Sequence, residues 1–296
     1  MSGTRIERLA IVGVGLIGGS LALALREAGV VGEIVGCGRN PAHLETAQRL
    51  GVIDRGETEP AAAVQGADMV VLAVPLGAMR EVMEAIRPAL APDAVLTDVG
   101  SAKTSVIRAA RAVFDTLPSG FVPGHPIAGT EKSGVEAAFP ELFRQRRVIL
   151  TPVPESSEPA VARVRALWEA CGAQVVSMAP EHHDEVLAAT SHLPHMLAYA
   201  LVDTLARRDD SQEIFDFAAG GFRDFTRIAS SDPQMWHDIC LANHDALVTM
   251  LEAFSDDLRL LADAVRRADS RFLLDTFTRA KAARDAFCDG VGDRES

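Results

Sequence analysis

The sequence predicts an α/β N-terminal domain built on a parallel-rich sheet, followed by an all-α C-terminal domain. Three observations carry this. Short β-branched runs alternate with helical patterns up to residue 179, a glycine-rich turn follows the first run, and no strand-like run occurs from Pro180 onward. Continuous apolar strands separated by helices are the pattern of a parallel sheet covered on both faces.

The predicted strands, in order, are 8–13 (RLAIVG), 33–37 (EIVGC), 68–74 (DMVVLAV), 94–99 (AVLTDV), 120–124 (GFVPG), 147–153 (RVILTPV) and 173–178 (AQVVSM). Residues 18–29 (GGSLALALREAG) and 77–90 (GAMREVMEAIRPAL) are the clearest helical patterns between them. The grammar changes after residue 179, dividing the chain into 1–179 and 180–296. Residues 180–208 read as helix, interrupted near Pro194. Residues 231–269 read as one long helix, with Asp232 as N-cap and Pro233 as its first residue. Its apolar positions, among them Trp236, Cys240, Leu247, Met250, Phe254, Leu258, Leu261 and Val265, recur at helical spacing. At 1.5 Å per residue it would be about 50 Å long. A stripe of that length calls for a partner, either a second subunit or the helices of its own bundle.

Composition narrows the function classes. The 296 residues carry a formal net charge of −12. This argues against a nucleic-acid partner, which needs a basic face. Any anionic substrate must be held by local positive groups. Cys37, Cys171, Cys240 and Cys288 are widely spaced and indicate neither a zinc site nor a disulfide framework. MSGTRIERLAIVG has no apolar signal core, and the longest apolar run, MVVLAVP, is too short to span a bilayer. The expected setting is the cytoplasm.

The turn after the first strand holds Gly13, Gly15 and Gly18 in G-x-G-x-x-G spacing, between a strand and a helix. That context marks a dinucleotide site. Gly13 permits the tight turn, Gly15 lets the backbone approach a pyrophosphate, and Gly18 allows close packing. Leu16 and Ile17 open a helix whose N-terminus favours negative charge. Val74 and Pro75, ending the third predicted strand, are further candidate cofactor contacts. NAD is usually read by an acidic residue at the end of the second strand, where this chain has Gly38 followed by Arg39. NADP or dual use is therefore expected, although Arg39 could stack on adenine and leave NAD usable.

In an open parallel sheet, ligands sit beyond the carboxyl ends of the strands. His125 follows such an end, in FVPGHPIAGTEKSGVEAAF, and Ser101 in DVGSAK reaches the same edge. A histidine titrating near neutrality can take a hydroxyl proton while hydride leaves the carbon bearing it. Ser101 can hydrogen-bond the hydroxyl or the nicotinamide amide. Thr130 and Glu131 are candidate substrate contacts, and Glu131 can also orient the loop. Arg223 and Arg227 in GGFRDFTRIASSDPQMW are four apart, on one face if this segment is helical, and suit a dicarboxylate. His182, His183, Asp184, His192 and His195 cluster in EHHDEVLAATSHLPH. Hydride transfer needs no Lewis acid, so no metal is expected. For His183 and Asp184 an interdomain structural role stays equally open.

The motifs GVGLIGGSLA, DVGSAK, GHPIAGTEKSGVEAA, SHLPH and GGFRDFTRIASSDPQMW, in that order, resemble prephenate dehydrogenases, including their arogenate-using and cyclohexadienyl relatives. The similarity runs from about residue 6 to residue 285. It implies a Rossmann-like N-terminal domain, an all-helical C-terminal dimerisation domain and hence a homodimer. It further implies oxidative decarboxylation of prephenate to 4-hydroxyphenylpyruvate in tyrosine biosynthesis. By the resemblance Ser191, His192 and His195 line the substrate pocket, Arg227 binds substrate, and Trp236 lies nearby. Position 223, an arginine here, is more often lysine in the family, which leaves its role open. Two other readings remain. β-Hydroxyacid dehydrogenases depend on a lysine in the helical part, where this chain has only Lys281 beyond Lys132. A non-catalytic NAD(P) sensor would need neither the paired arginines nor the strand-end histidine.

Overall fold

The computed structural model of the chain describes residues 5–130 and 132–295, so Glu131 lies outside the described residues. Two compact units divide the chain, residues 1–244 and 245–296.

The first unit is built on six parallel strands, β1 (Ile6–Val12), β2 (Val31–Cys37), β3 (Arg55–Glu57), β4 (Met69–Leu72), β5 (Val95–Asp98) and β6 (Phe121–Val122). Their order is β3-β2-β1-β4-β5-β6. The order reverses between β1 and β4, which opens a crevice at the carboxyl ends of the strands. The connections are α1 (Leu16–Glu27), α2 (Pro41–Arg49), α3 (Pro60–Val64), α4 (Met79–Ile86) and α5 (Lys103–Val113). Strand β1 shows why the runs are continuously apolar. Leu9 and Ile11 enter one core with Leu21, Leu25 and Trp168, while Ala10 and Val12 enter another with Leu72, Met79 and Phe121. Successive strand residues point to opposite faces, so a sheet covered on both sides must be apolar at every position.

The predicted strand 120–124 is two strands. Pro123 has no N–H to give a ladder, and the chain leaves the parallel sheet there for a second one. That sheet has the order β7-β8-β9, comprising β7 (Gly124–Pro126), β8 (Arg147–Leu150) and β9 (Gln174–Ser177). β7 runs antiparallel to β8, placing His125 opposite Ile149, and β8 runs parallel to β9. Helix α6 (Glu158–Ala170) joins β8 to β9.

The rest of this unit is helical among its described residues: α7 (Pro180–Leu187), α8 (Leu193–Ala206), α9 (Ser211–Asp216), α10 (Gly220–Thr226) and α11 (Pro233–Ala242). The interruption expected near Pro194 is a π-helical segment, Ala188–His192, joining α7 to α8. Pro194 follows in the first turn of α8, where the helix continues from the π segment, and its missing N–H leaves the backbone ladder one bond short at that junction. The single helix expected over 231–269 is instead broken at Asn243 (φ −115°, ψ 35°) between α11 and α12 (His244–Arg266). Asp232 caps α11 as predicted, accepting from the Met235 amide at 2.8 Å.

The second unit is carried by α12 and α13 (Ser270–Glu295), joined by a turn in which Ala268 has φ 51°. Leu258, Leu260, Val265, Leu274, Phe277 and Phe287 are exposed on it. Among the described residues no helix is long and apolar enough to cross a membrane.

Candidate active site

The first wall of the crevice is the β1–α1 turn. Gly13 has φ +101°, and a Cβ there would lie 2.2 Å from the Ala73 carbonyl oxygen. A Cβ on Gly15 would meet nothing within 4 Å, and no side chain caps the α1 N-terminus. Open space before uncapped helical amides fits a dinucleotide phosphate. Leu16 and Ile17 form the first turn of α1, Gly18 packs against the Gly13 carbonyl, and Val74 and Pro75 follow β4. Arg39 is exposed two residues past the end of β2.

The second wall is a buried polar cluster behind the β5 and β6 ends. His125 lies within β7, three residues beyond the end of β6. Its Nδ1 is 2.9 Å from Nε2 of His183, whose Nδ1 is 2.8 Å from Oδ1 of Asp184. Asp184 accepts the Lys103 and Thr104 amides at 2.7 and 2.9 Å, together with the Thr104 hydroxyl. These donors open α5, so the Asp184 carboxylate occupies the anion site of that helix N-terminus. Beneath His125, the fully buried Lys103 Nζ donates to Asp98 Oδ2 at 2.5 Å and to the Gly124 carbonyl at 2.6 Å. Ser101 sits half-buried in the loop between Asp98 and Lys103.

Electrostatics follow from burial. Desolvation, reinforced by the charges of His183, Lys103 and His192, pushes His125 well below the ordinary histidine value of 6.5. Its imidazole is therefore neutral at pH 7, as a base must be. Burial acts to raise the Asp184 carboxyl, but hydrogen bonds from His183, Lys103 and Thr104 outweigh it and hold the group below the usual carboxylate range.

The third wall comes from the helices. Trp236 stacks on His195, with ring centroids 3.7 Å apart, and lies edge-on to His192 at 6.0 Å. His195 Nδ1 donates to the Ser191 carbonyl at 2.8 Å. Asn243 Nδ2 donates to the Asp184 carbonyl at 2.8 Å and faces His192 Nδ1 at 3.1 Å. Because that nitrogen can only donate, His192 accepts at Nδ1 and carries its proton on Nε2. His192 Nε2 and Trp236 Nε1 are buried with no hydrogen-bond partner among the described residues. Arg223 lies in α10, and Arg227, whose backbone is still helical (φ −50°, ψ −41°), opens the 3₁₀ turn that follows. Both are exposed, as is Thr130, whose Oγ1 accepts the Lys132 amide at 3.2 Å.

The prephenate dehydrogenase nucleotide-binding domain family matches residues 21–177, and the prephenate dehydrogenase dimerization domain family matches residues 179–279. The chain belongs to the prephenate dehydrogenase family. Within that family it is 39% identical to a cyclohexadienyl dehydrogenase of Zymomonas mobilis, covering 95% of this chain and 96% of the relative. It is 36% identical to a prephenate dehydrogenase of Bacillus subtilis, covering 94% and 76%. It superposes with a TM-score of 0.89 on the prephenate dehydrogenase of A. aeolicus in complex with hydroxyphenyl propionate and NAD+, at 39% identity over 96% of this chain and 99% of that one. A Synechocystis arogenate dehydrogenase gives 0.79 at 29% identity, covering 95% and 99%.

Against the prephenate dehydrogenase domain matches, the first compact unit runs further along the chain. It takes in α7 to α11, which belong to the dimerization-domain match. Sequence reasoning missed Asp98, Lys103, Thr104 and Asn243 as parts of the site. Asp98 and Lys103 stand inside the DVGSAK motif, and a lysine so near an apolar strand end is a signal in itself, since lysine is almost never fully buried unpaired. Asn243 carries no comparable signal.

Proposed function

We propose that the protein oxidatively decarboxylates prephenate to 4-hydroxyphenylpyruvate with NAD(P)+, a step of tyrosine biosynthesis, with arogenate, which would give tyrosine, as the second candidate substrate. The observation that carries this is His125. It is buried just beyond the parallel-sheet edge, and its Nδ1 meets His183 Nε2 at 2.9 Å, in a protein of this family.

A bound nicotinamide dinucleotide supplies the hydride acceptor. His125 Nε2 takes the proton of the C4 hydroxyl as hydride leaves C4. The ring carboxylate departs as carbon dioxide, and aromatisation makes the reaction effectively irreversible. Ser101 hydrogen-bonds the hydroxyl or the nicotinamide amide. Arg227, with Arg223, grips carboxylate oxygens, and Thr130, Glu131, Ser191 and His195 complete the pocket. His192 Nε2–H and Trp236 Nε1–H are buried donors that a substrate acceptor satisfies. A buried donor left unmet costs about 1–3 kcal/mol, so both favour the occupied site. Residues 1–179 bind the cofactor and supply His125 and Ser101, and 180–296 serve substrate binding and subunit association.

Gly38 and Arg39 in place of an acidic residue support NADP or dual use. The exposed apolar side chains of α12 and α13 support a homodimer formed through the C-terminal helices. Free thiols at all four cysteines fit the reducing cytoplasm.

The test is reduced-cofactor formation from prephenate and arogenate. His125→Asn should lower kcat by about 10²- to 10⁴-fold while sparing KM. Near-normal kcat would remove the base assignment. The same assay run with each cofactor checks Arg39, and a preference for NAD of about a hundredfold would overturn the NADP reading.

A further inference from the structure

The His125 ring does not stand alone. Its Nδ1 meets His183 Nε2 at 2.9 Å, and His183 Nδ1 meets Asp184 Oδ1 at 2.8 Å. All three side chains are buried. The direction of each hydrogen bond is fixed from the far end. Asp184 is ionised and accepts at both oxygens, from the Lys103 and Thr104 amides as well as from His183. A carboxylate can only accept, so His183 must donate from Nδ1. A neutral His183 then presents a lone pair at Nε2. His125 must in turn donate from Nδ1, which leaves the lone pair of His125 on Nε2.

We propose that His183 and Asp184 are positioning residues that set the His125 tautomer and draw off the positive charge once His125 has taken the substrate proton. This rests on the reading of His125 as the base. When a proton binds at His125 Nε2, the proton on its Nδ1 passes to His183 Nε2. His183 becomes the imidazolium, with its Nδ1–H still on the Asp184 carboxylate. One proton enters and one moves along the chain, so no co-reactant is needed, and the reverse shift restores the resting state.

The surroundings make such a relay useful. Lys103 from α5 and His192 from the π segment face the cluster and disfavour a charge on His125, while His183 itself does the same when protonated. Asp98 at the end of β5 neutralises the Lys103 ammonium at 2.5 Å. Asp184 is then the carboxylate left to balance the proton, and it reaches His125 only through His183.

Long-range ¹H–¹⁵N spectra of ¹⁵N-histidine-labelled protein read the tautomer directly. His125 should carry its proton on Nδ1 in the wild-type protein, and a resting Nε2–H form would overturn the proposal without any variant. His183→Phe removes both acceptor and relay. It should release the tautomer and lower kcat at least about tenfold with KM nearly unchanged. His183→Gln keeps an acceptor near the Nε2 position but cannot pass a proton. It should restore the Nδ1–H tautomer and recover only part of kcat. Unchanged NAD(P) affinity in both variants checks the fold. If His125→Asn abolishes turnover while His183→Phe stays within about twofold of wild type, the relay fails and the base reading stands. If His125→Asn itself keeps kcat, the base reading fails first.

Discussion

At the residue scale, the site is an exercise in burying groups that ordinarily seek water. Lys103 and Asp98 are both wholly inaccessible and hold one another across the β5–α5 loop. The long-range partners of this pair are not legible in the sequence. Asp184 meets the Lys103 amide 81 positions away, and a linear chain shows residue types but not which distant partner each will meet. What the sequence does show is where the parallel strands end, and His125 follows such an end. Burial leaves a pH signature. Desolvation pushes His192 from 6.5 down to about 4, and it lowers His125 and His183 as well. A histidine whose folded value is depressed takes its proton more readily in the unfolded chain. Stability is therefore full above pH 6.5 and is lost as pH falls toward about 4. At about 1.4 kcal/mol per unit, His192 alone should account for roughly 3 kcal/mol of that loss. Urea unfolding across this window should show the decline, and His192→Asn should flatten it. A wild-type curve that stays level from pH 6.5 to about 4 would contradict the assignment.

At the element scale, the strands were legible where they are buried on both faces. Apolar residues then stand at every position, as in β4 (MVVL). Strand β3 was not legible, because it is a three-residue edge strand reading RGE. The 3.6-residue period found the helices but not their breaks. Nothing in LANHDAL interrupts the apolar stripe, yet the chain stops at Asn243 because its amide serves the Asp184 carbonyl and His192. For the segment Ala188–His192, Pro194 signals an interruption in the sequence but not that it takes π form. It inserts extra backbone into a helix and so sets how His183 on α7 sits relative to His192 at its end and His195 beyond it. Deleting Ala189 removes the extra residue and should return the segment to regular α-helix, shortening the path from α7 to the His192–His195 ring pair and shifting it against His183 and Asp184. Helix content and NAD(P) affinity should hold, while KM for prephenate should rise at least about tenfold. An unchanged KM would mean that the π segment has no part in placing the pocket.

At the scale of the whole molecule, two grammars were visible from the start, alternating strands and helices first and helices alone afterwards. The sequence pattern turns at residue 179, whereas compact packing turns at residue 244. The two criteria answer to different physics. Periodicity reports the local backbone, while compactness reports which side chains share a core, and Asn243 and Trp236 belong with the site. What lies beyond is a helical pair too thin to hide its own apolar side chains. Leu258 is 50% exposed, Leu260 53%, Leu274 66% and Phe277 59%. Each fully buried side chain of this kind contributes about 1.5–3 kcal/mol, and Leu274 and Phe277, three apart on α13, share one side of that helix. If a second copy covers this face, the double substitution Leu274→Lys with Phe277→Lys places two charges in the interface and should shift sedimentation from dimer to monomer at micromolar concentration. Because α12 follows directly on α11, which carries Trp236, the monomer should also lose activity while the nucleotide-binding fold still binds NAD(P). A wild-type protein that sediments as a monomer, or a double variant that remains a dimer, would show that these helices associate with something other than their own copy.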